Sequence, residues 1–151
     1  MRARDLIDEY PSIQVSDPAL DAARLIGSAR LPGVVVVDPE GVPVTVLPGS
    51  QVLKFVIPAY IQEDPSLARV FDERGADECV SRLEGRSVGD LLPPRDHRQE
   101  LPVVDPDATV IECAAVMARL RSPLLVVQSD QHILGVVTAS RLLDVLIGHT
   151  R

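Results

Sequence analysis

The sequence predicts an α/β (α+β) protein in which two β-α-β-β-α repeats are joined by a helical insertion. Residues 124–127 and 133–137 are short, β-rich apolar runs around turn residues, and a leucine-bearing helix pattern follows them. The same succession occurs earlier, over residues 34–57, so the chain contains an internal repeat. A content of 46% hydrophobic and 25% charged residues is typical of a globular chain.

The first repeat is predicted over residues 1–58. Four consecutive valines, 34–37, indicate a strand that is buried on both faces. Asp17-Pro18 is typical of a helix start, with Asp17 as the cap and Pro18 in the first turn. The other predicted elements are strands 12–15 and 42–47 and a helix that starts after Pro48-Gly49-Ser50 and closes at Pro58.

The second repeat is predicted over residues 86–151. Thr109 is expected to cap its first helix, whose apolar residues recur at helical spacing. Gly135, inside the last strand, indicates a place where another backbone or a ligand comes close. Asp90-Leu91-Leu92 matches Asp5-Leu6-Ile7, so the lead-in to the repeat is itself repeated. The predicted strands are 101–104, 124–127 and 133–137, and a second helix follows Thr138-Ala139-Ser140.

Residues 59–85 form the predicted insertion. Asp64-Pro65 is typical of a helix start, Gly75 is expected to divide the segment into two helices, and Gly85 is placed to end it. Two interpretations remain open: a helical linker packed on the repeats, or a surface for a partner or a second copy.

The repeated unit resembles the CBS domain, the cystathionine-β-synthase-type regulatory repeat. The resemblance rests on Gly135-Val136-Val137-Thr138, on the apolar strand after Pro123, and on Leu142-Leu143 in the following helix. Because the unit occurs twice, the chain is similar to a tandem CBS pair of the stand-alone bacterial type. This resemblance implies that the repeats pack as a pseudo-twofold pair.

The resemblance also implies ligand sites in the clefts between the repeats, with AMP, ADP, ATP or S-adenosylmethionine as the expected ligands. The family's third strand ends in Gly-h-h-Thr/Ser-x-x-Asp, where the hydroxyl serves the phosphate and the carboxylate serves the ribose. This sequence departs from that pattern. Arg141 replaces the acid in the second repeat, and Pro48 and Gln51 replace the hydroxyl and the acid in the first.

The second cleft is therefore the preferred candidate. Thr138 and Ser140 offer hydroxyls at a helix start, and Arg141 adds a planar cation suited to phosphate or carboxylate. For Arg141, the alternative is a surface residue paired with Asp144. The predicted ligand-binding residues are Thr138, Ser140, Arg141, Pro123, Leu124, Val126, Gln51 and Val34. Arg95, His97 and Arg98 are expected either to line the same cleft or to form a solvated loop.

Several classes of function are not supported by the sequence. No nucleophile–base pair, metal-ligand cluster or phosphate-binding loop is recognisable, so an enzyme is not expected, and His132 and His149 are expected to be exposed. A net charge of −7 argues against nucleic acid as a partner. No apolar run has the length of a membrane span, and a cytoplasmic protein with reduced Cys79 and Cys113 is expected. Lys54 is the only lysine among 15 basic residues.

The predicted function is a regulatory module that senses a small anionic ligand, an adenosine-type nucleotide among the candidates. The resemblance implies a homodimer, with the helical faces around Leu25, Ile26, Leu143 and Leu146 as candidate contacts. The alternative is a structural dimerisation or protein-interaction module whose ligand sites are degenerate. The sequence does not identify a regulated partner.

Overall fold

The computed structural model describes residues 1–98 and 100–148, which form two three-stranded sheets flanked by helices. The strands are β1 Ser12–Gln14, β2 Gly33–Val37, β3 Pro43–Pro48, β4 Val103–Val104, β5 Leu124–Ser129 and β6 His132–Thr138. The helices are α1 Ala19–Ser28, α2 Gly49–Val56, α3 Ala59–Glu63, α4 Glu73–Ser81, α5 Val88–Leu91, α6 Val110–Leu120 and α7 Ala139–Gly148. Short 3-10 turns cover Ala3–Asp5, Pro65–Val70 and Arg95–His97.

The two sheets have the same topology. In the first, β2 pairs in parallel with β1 and antiparallel with β3; in the second, β5 pairs in the same way with β4 and β6. The predicted α/β (α+β) class and the pair of β-α-β-β-α repeats are therefore confirmed. The helical insertion follows α2, as the sequence indicates.

The central strands are buried because each sheet packs on both of its faces. Along β2, Val34 and Val36 face the helices of the first repeat, and Val35 and Val37 face the second repeat. Leu124 and Val126 of β5 meet them from the other side. This shared layer explains why β2 is a continuous run of valines rather than an alternating strand.

The lead-in segments are exchanged between the repeats. Residues 2–8 pack on the second repeat, where the Ala3 amide donates to the Ala108 carbonyl at 2.8 Å and Leu6 is fully buried. Residues 83–92 pack on the first repeat, where the Val88 amide donates to the Asp17 carbonyl at 2.8 Å. Each repeat therefore completes its core with residues that precede the other.

The two lead-ins are built alike. The Arg2 amide donates to the Asp5 carboxylate at 2.9 Å, and the Ser87 amide donates to the Asp90 carboxylate at 3.0 Å. Each contact closes the start of a short helical turn. The predicted match of Asp5-Leu6-Ile7 with Asp90-Leu91-Leu92 is thus confirmed in space.

The helix starts agree with the sequence in one repeat and differ in the other. Thr109 caps α6 as predicted, because its hydroxyl accepts from the Glu112 amide at 3.1 Å. The prediction that Asp17 caps α1 is wrong. Pro18 occupies the cap position, and the Asp17 carboxylate instead accepts from the Gln14 amide at 2.8 Å, closing the turn after β1.

The insertion is helical but divides at a different place from the one predicted. Gly75 lies inside α4, and the break comes at Asp72, whose carboxylate caps α4 by accepting from the Gly75 amide at 3.0 Å. Gly75 is needed for packing, because a Cβ there would lie 2.9 Å from the Phe71 ring. Leu83 ties the end of the insertion into the first repeat's core, whereas Val70 is 87% exposed.

The exchange of lead-ins predicts that Leu6→Ala destabilises the fold by about 2–5 kcal/mol, since it leaves a cavity in the second repeat's core. Urea denaturation measures the free energy of unfolding. Val70→Ala, at an exposed position, is the matched control and should change it by less than about 0.5 kcal/mol. Equal effects from the two substitutions would contradict the exchanged packing.

Candidate functional site

The first cleft lies where the end of β3 and the start of α2 meet the loop after α5. It encloses about 430 Å³. Its lining residues are Thr45, Val46, Leu47, Pro48, Gln51, Lys54, Leu92, Pro93, His97 and Arg98. Both repeats contribute to it, because the loop leads directly into β4.

Two elements position the polar side chains of this cleft. Gln51 and Lys54 are three residues apart in α2, so they share a helix face. The Gln51 amide nitrogen donates to the Leu91 carbonyl at 3.1 Å, which leaves its amide oxygen as the acceptor for a ligand. The Arg98 guanidinium donates through Nε to the Pro93 carbonyl at 2.9 Å and holds the loop in a compact turn.

A neighbouring cavity of about 400 Å³ shares Thr45, Val46 and Pro48 with the first cleft. Pro123 and Arg121 belong to its lining, on the second repeat's side. The two cavities adjoin at these shared residues around the end of β3, and the lining of the neighbouring cavity also includes Glu100.

The first cleft is lined by basic side chains. Lys54, His97 and Arg98 contribute to its wall, and its lining contains no carboxylate among the described residues. The protein as a whole carries a net charge of −7, so the two cations of Lys54 and Arg98 in one cleft run against the overall charge. A cleft lined by one sign of charge raises the local concentration of the opposite ion. Its chemistry suits a small anion.

The second cleft is related to the first by the pseudo-twofold arrangement, but the chain's own residues cover it. Asp8 and Val136 exchange two backbone hydrogen bonds, at 3.0 and 3.2 Å. The Tyr10 hydroxyl donates to the Gly33 carbonyl at 2.7 Å, and burial raises the pKa of this phenol above its ordinary value of 10.0. What remains open is a groove whose charged lining residue is Glu9.

Comparison with known proteins agrees with this architecture. The CBS domain family model matches residues 88–148. A CBS domain-containing protein of unknown function from Kribbella flavida is 47% identical, with a TM-score of 0.84 over 97% of this chain and 99% of that one. The chain belongs to the CBS domain family. CBS domain pairs generally act as regulatory ligand-binding modules.

More distant CBS structures share the fold of this CBS pair. CBSX2 in complex with AMP is 19% identical, with a TM-score of 0.69 over 99% of this chain and 98% of that one. A CBS domain-containing protein from Bacillus anthracis is 15% identical, with a TM-score of 0.74 over 99% and 95%. No curated protein matches the sequence.

The structure places the second-cleft candidates at the junction of β6 and α7, with Thr138 ending the strand and Ser140 and Arg141 in the first turn of the helix. The Thr138 hydroxyl accepts from the Arg141 amide at 3.2 Å and lies 3.1 Å from the Ser140 hydroxyl. The Arg141 guanidinium lies 4.0 Å from the Asp144 carboxylate, the pairing considered as its alternative role. Local contacts thus engage all three predicted side chains.

The remaining predicted residues divide into lining and core positions. Gln51 lines the first cleft and Pro123 the neighbouring cavity. Val34, Leu124 and Val126 are fully buried, so their side chains shape the sheets and offer no surface to a ligand.

Sequence reasoning missed the position of the basic loop. The sequence predicts that Arg95, His97 and Arg98 either line the second cleft with Thr138 or form a solvated loop, whereas His97 and Arg98 line the first cleft beside Gln51. Lys54 was not singled out as a site residue. The available signal was its spacing from Gln51, which places both side chains on one helix face.

Other candidate chemistry is limited in the part of the chain that the structure describes. Among these residues, no three His, Cys, Asp or Glu side chains are grouped to hold a metal ion, and no helix is long and apolar enough to cross a membrane. Both cysteines are free, and burial raises the pKa of the Cys113 thiol. His132 is exposed, and His149 lies outside the described residues.

The closed second cleft predicts that Gly135→Ala destabilises the protein by about 1–3 kcal/mol. The added Cβ would lie 2.8 Å from the Ile7 Cβ and 3.1 Å from the Asp8 carbonyl oxygen, so the lead-in must shift. Gly27→Ala is the control, because nothing lies within 4 Å of that position in α1. Urea denaturation should show a loss for Gly135→Ala alone, and similar stability of both variants would contradict the close approach.

Proposed function

We propose that this CBS pair is a regulatory module that senses a small anionic ligand, an adenosine-type nucleotide, in the first cleft. The observation that carries the proposal is the basic lining of the cleft, with Lys54, His97 and Arg98 around a cavity of about 430 Å³. A volume in this range is typical of small-molecule sites, which run from about 300 to 1,000 Å³.

The departures from the family motif fit this arrangement. Pro48 removes the hydroxyl that would contact phosphate, and the cations of Lys54 and Arg98 supply the charge instead. Gln51 replaces the acid, and its amide oxygen accepts one hydrogen bond from a ribose hydroxyl. Compared with a site that has the family motif, we therefore expect weaker binding of the ribose and stronger binding of the anionic group.

AMP is the first nucleotide to test, because a structure of the same fold, CBSX2, is in complex with AMP. ADP, ATP and S-adenosylmethionine complete the panel. The three basic side chains favour ligands with more negative charge, so affinity should rise from AMP to ATP.

The position of the cleft explains how binding becomes a signal. Gln51 and Lys54 come from the first repeat, whereas His97 and Arg98 belong to the loop that enters the second. A ligand that contacts both sides stabilises one arrangement of the repeats over others. It regulates a partner or a second copy only if its affinity differs between those arrangements. This role is regulatory rather than catalytic.

We predict that nucleotide binding perturbs Lys54 directly. As the only lysine, it can be labelled by reductive ¹³C-methylation and followed by NMR as a single side-chain signal beside that of the N-terminus. Titration with ATP should shift the Lys54 signal and leave the N-terminal signal in place. An unchanged Lys54 signal at saturating ATP would contradict the first cleft as the site.

Substitution gives the energetic counterpart of this measurement. Arg98→Gln should weaken ATP binding about tenfold or more, since it removes a charge-assisted contact of about 1.5–3 kcal/mol. Arg74→Gln changes the net charge equally but lies in the exposed insertion, so its affinity should match that of the native protein. Arg141→Gln tests the second-cleft prediction. A larger loss of ATP affinity from this substitution than from Arg98→Gln would favour the second cleft.

A structural dimerisation module is the second candidate, and one observation favours it. Leu53 of α2 and Leu143 of α7 occupy equivalent positions in the two repeats and are 61% and 55% exposed. Leu25, Ile26 and Leu146 are half-buried. Exposed leucines on corresponding helices suit a contact between two copies of the chain.

We predict a homodimer that depends on these leucines. Light scattering after size exclusion should give the mass of two chains for the native protein and of one chain for Leu53→Asp combined with Leu143→Asp, because the contact would bury uncompensated charge. Val70→Asp, in the insertion, is the control and should remain dimeric. If Val70→Asp alone yields monomers, the insertion forms the contact instead.

A further inference from the structure

We propose that residues 8–10 permanently occupy the second cleft, so that the chain binds one ligand rather than two and binds it in the first cleft. The inference rests on the proposed function for its ligand but not for the closure itself. The two repeats have the same topology, so their clefts would be expected to be alike. The inference follows from the differences between these two clefts.

The closure begins with backbone pairing at the outer edge of β6. The Asp8 amide donates to the Val136 carbonyl at 3.0 Å, and the Val136 amide donates to the Asp8 carbonyl at 3.2 Å. Both polar backbone groups of Val136 are thereby used by the chain itself. Gly135 allows this approach, because any Cβ there would meet Ile7 and Asp8.

Tyr10 extends the closure across the cleft. Its ring packs against the layer shared by the two sheets, beside Val136, and its hydroxyl donates to the Gly33 carbonyl at the start of β2. The segment is therefore fastened at both walls, to β6 by Asp8 and to β2 by Tyr10. A ligand that entered here would have to displace three hydrogen bonds and a half-buried ring.

The first cleft lacks the equivalent closure for a chemical reason. Val46 pairs with Val35 as Val136 pairs with Val126, so its amide and carbonyl also point to the outer edge of the sheet. The residue that corresponds to Asp8 is Pro93, which has no amide hydrogen to donate. The Pro93 carbonyl accepts instead from Arg98 Nε at 2.9 Å, and the Val46 carbonyl accepts only a long contact of 3.5 Å from the neighbouring Thr45 hydroxyl among the described residues, so this loop leaves the edge at Val46 open to the cleft.

Loop length strengthens the asymmetry. Four residues, 8–11, connect Ile7 to β1, whereas ten residues, 93–102, connect Leu92 to β4. The short connection stays against the sheet. The long one bends away and places His97 and Arg98 around a cavity.

Charge also separates the two clefts. The groove left beside the closed cleft has Glu9 as its charged lining residue, and no basic residue in the described part of the chain lines it. An anion is repelled there and attracted to the basic wall of the first cleft.

Amide hydrogen exchange by NMR on the unliganded protein tests the closure without any ligand. The amide of Val136 should exchange at least about tenfold more slowly than that of Val46, and that of Asp8 should also be protected. Exchange of Val136 as fast as that of Val46 would overturn the closure. Because the native protein is measured, the result does not depend on whether a variant folds.

Calorimetric titration with ATP tests the stoichiometry. We expect one ATP per chain, binding that is lost when Lys54→Ala and Arg98→Gln are combined, and binding that survives Arg141→Gln. Two ATP per chain, or one that survives the double substitution, would overturn the inference. If neither ATP nor AMP binds, the proposed function fails, and hydrogen exchange alone decides whether the cleft is closed.

Discussion

The exchange of lead-in segments is the constraint on which the rest of the structure depends. Leu6 completes the core of the second repeat, and Leu91 completes the core of the first. Each repeat therefore needs the segment that precedes the other repeat to complete its core. The shared layer of valines and leucines between the sheets then fixes how the repeats face one another. Both clefts are consequences of this arrangement, because each is bounded by a strand edge of one repeat and by the connection that leads into the other.

Near-symmetry makes the differences between the clefts informative. The strands, the bulged hairpins and the capped lead-in turns correspond closely. Two differences between the repeats therefore have clear effects. Asp8 at one position corresponds to Pro93 at the other, and the connection 93–102 is longer than the connection 8–11. One cleft is sealed by backbone pairing, and the other is held open and lined with basic side chains. A module with one open site responds to ligand concentration along a simple saturation curve, without coupling between sites on the same chain.

Local chemistry explains what the sequence could predict. The hairpins, the buried valine strand and the Thr109 cap follow from neighbouring residues, and Gly135 correctly indicated the approach of another backbone. The path of the 93–98 loop depends on tertiary packing, which no local pattern encodes, so the sequence predicts a second-cleft or solvated position for His97 and not its place in the first cleft. The predicted position of the break in the insertion is wrong for a related reason. Glycine is required at position 75 because a side chain there would contact the Phe71 ring, and not because the backbone turns there.

The exchanged lead-ins have a consequence for how the chain folds as it is synthesised. Residues 3–6 are synthesised more than 100 residues before their partners around Cys113 and Leu125. The first repeat, in turn, cannot close its core until Val88 and Leu91 have left the ribosome. Folding is therefore delayed until the second repeat is largely made, and contacts of such long sequence separation slow the final step. A ribosome that stalls within the insertion would leave a first repeat with its apolar face uncovered.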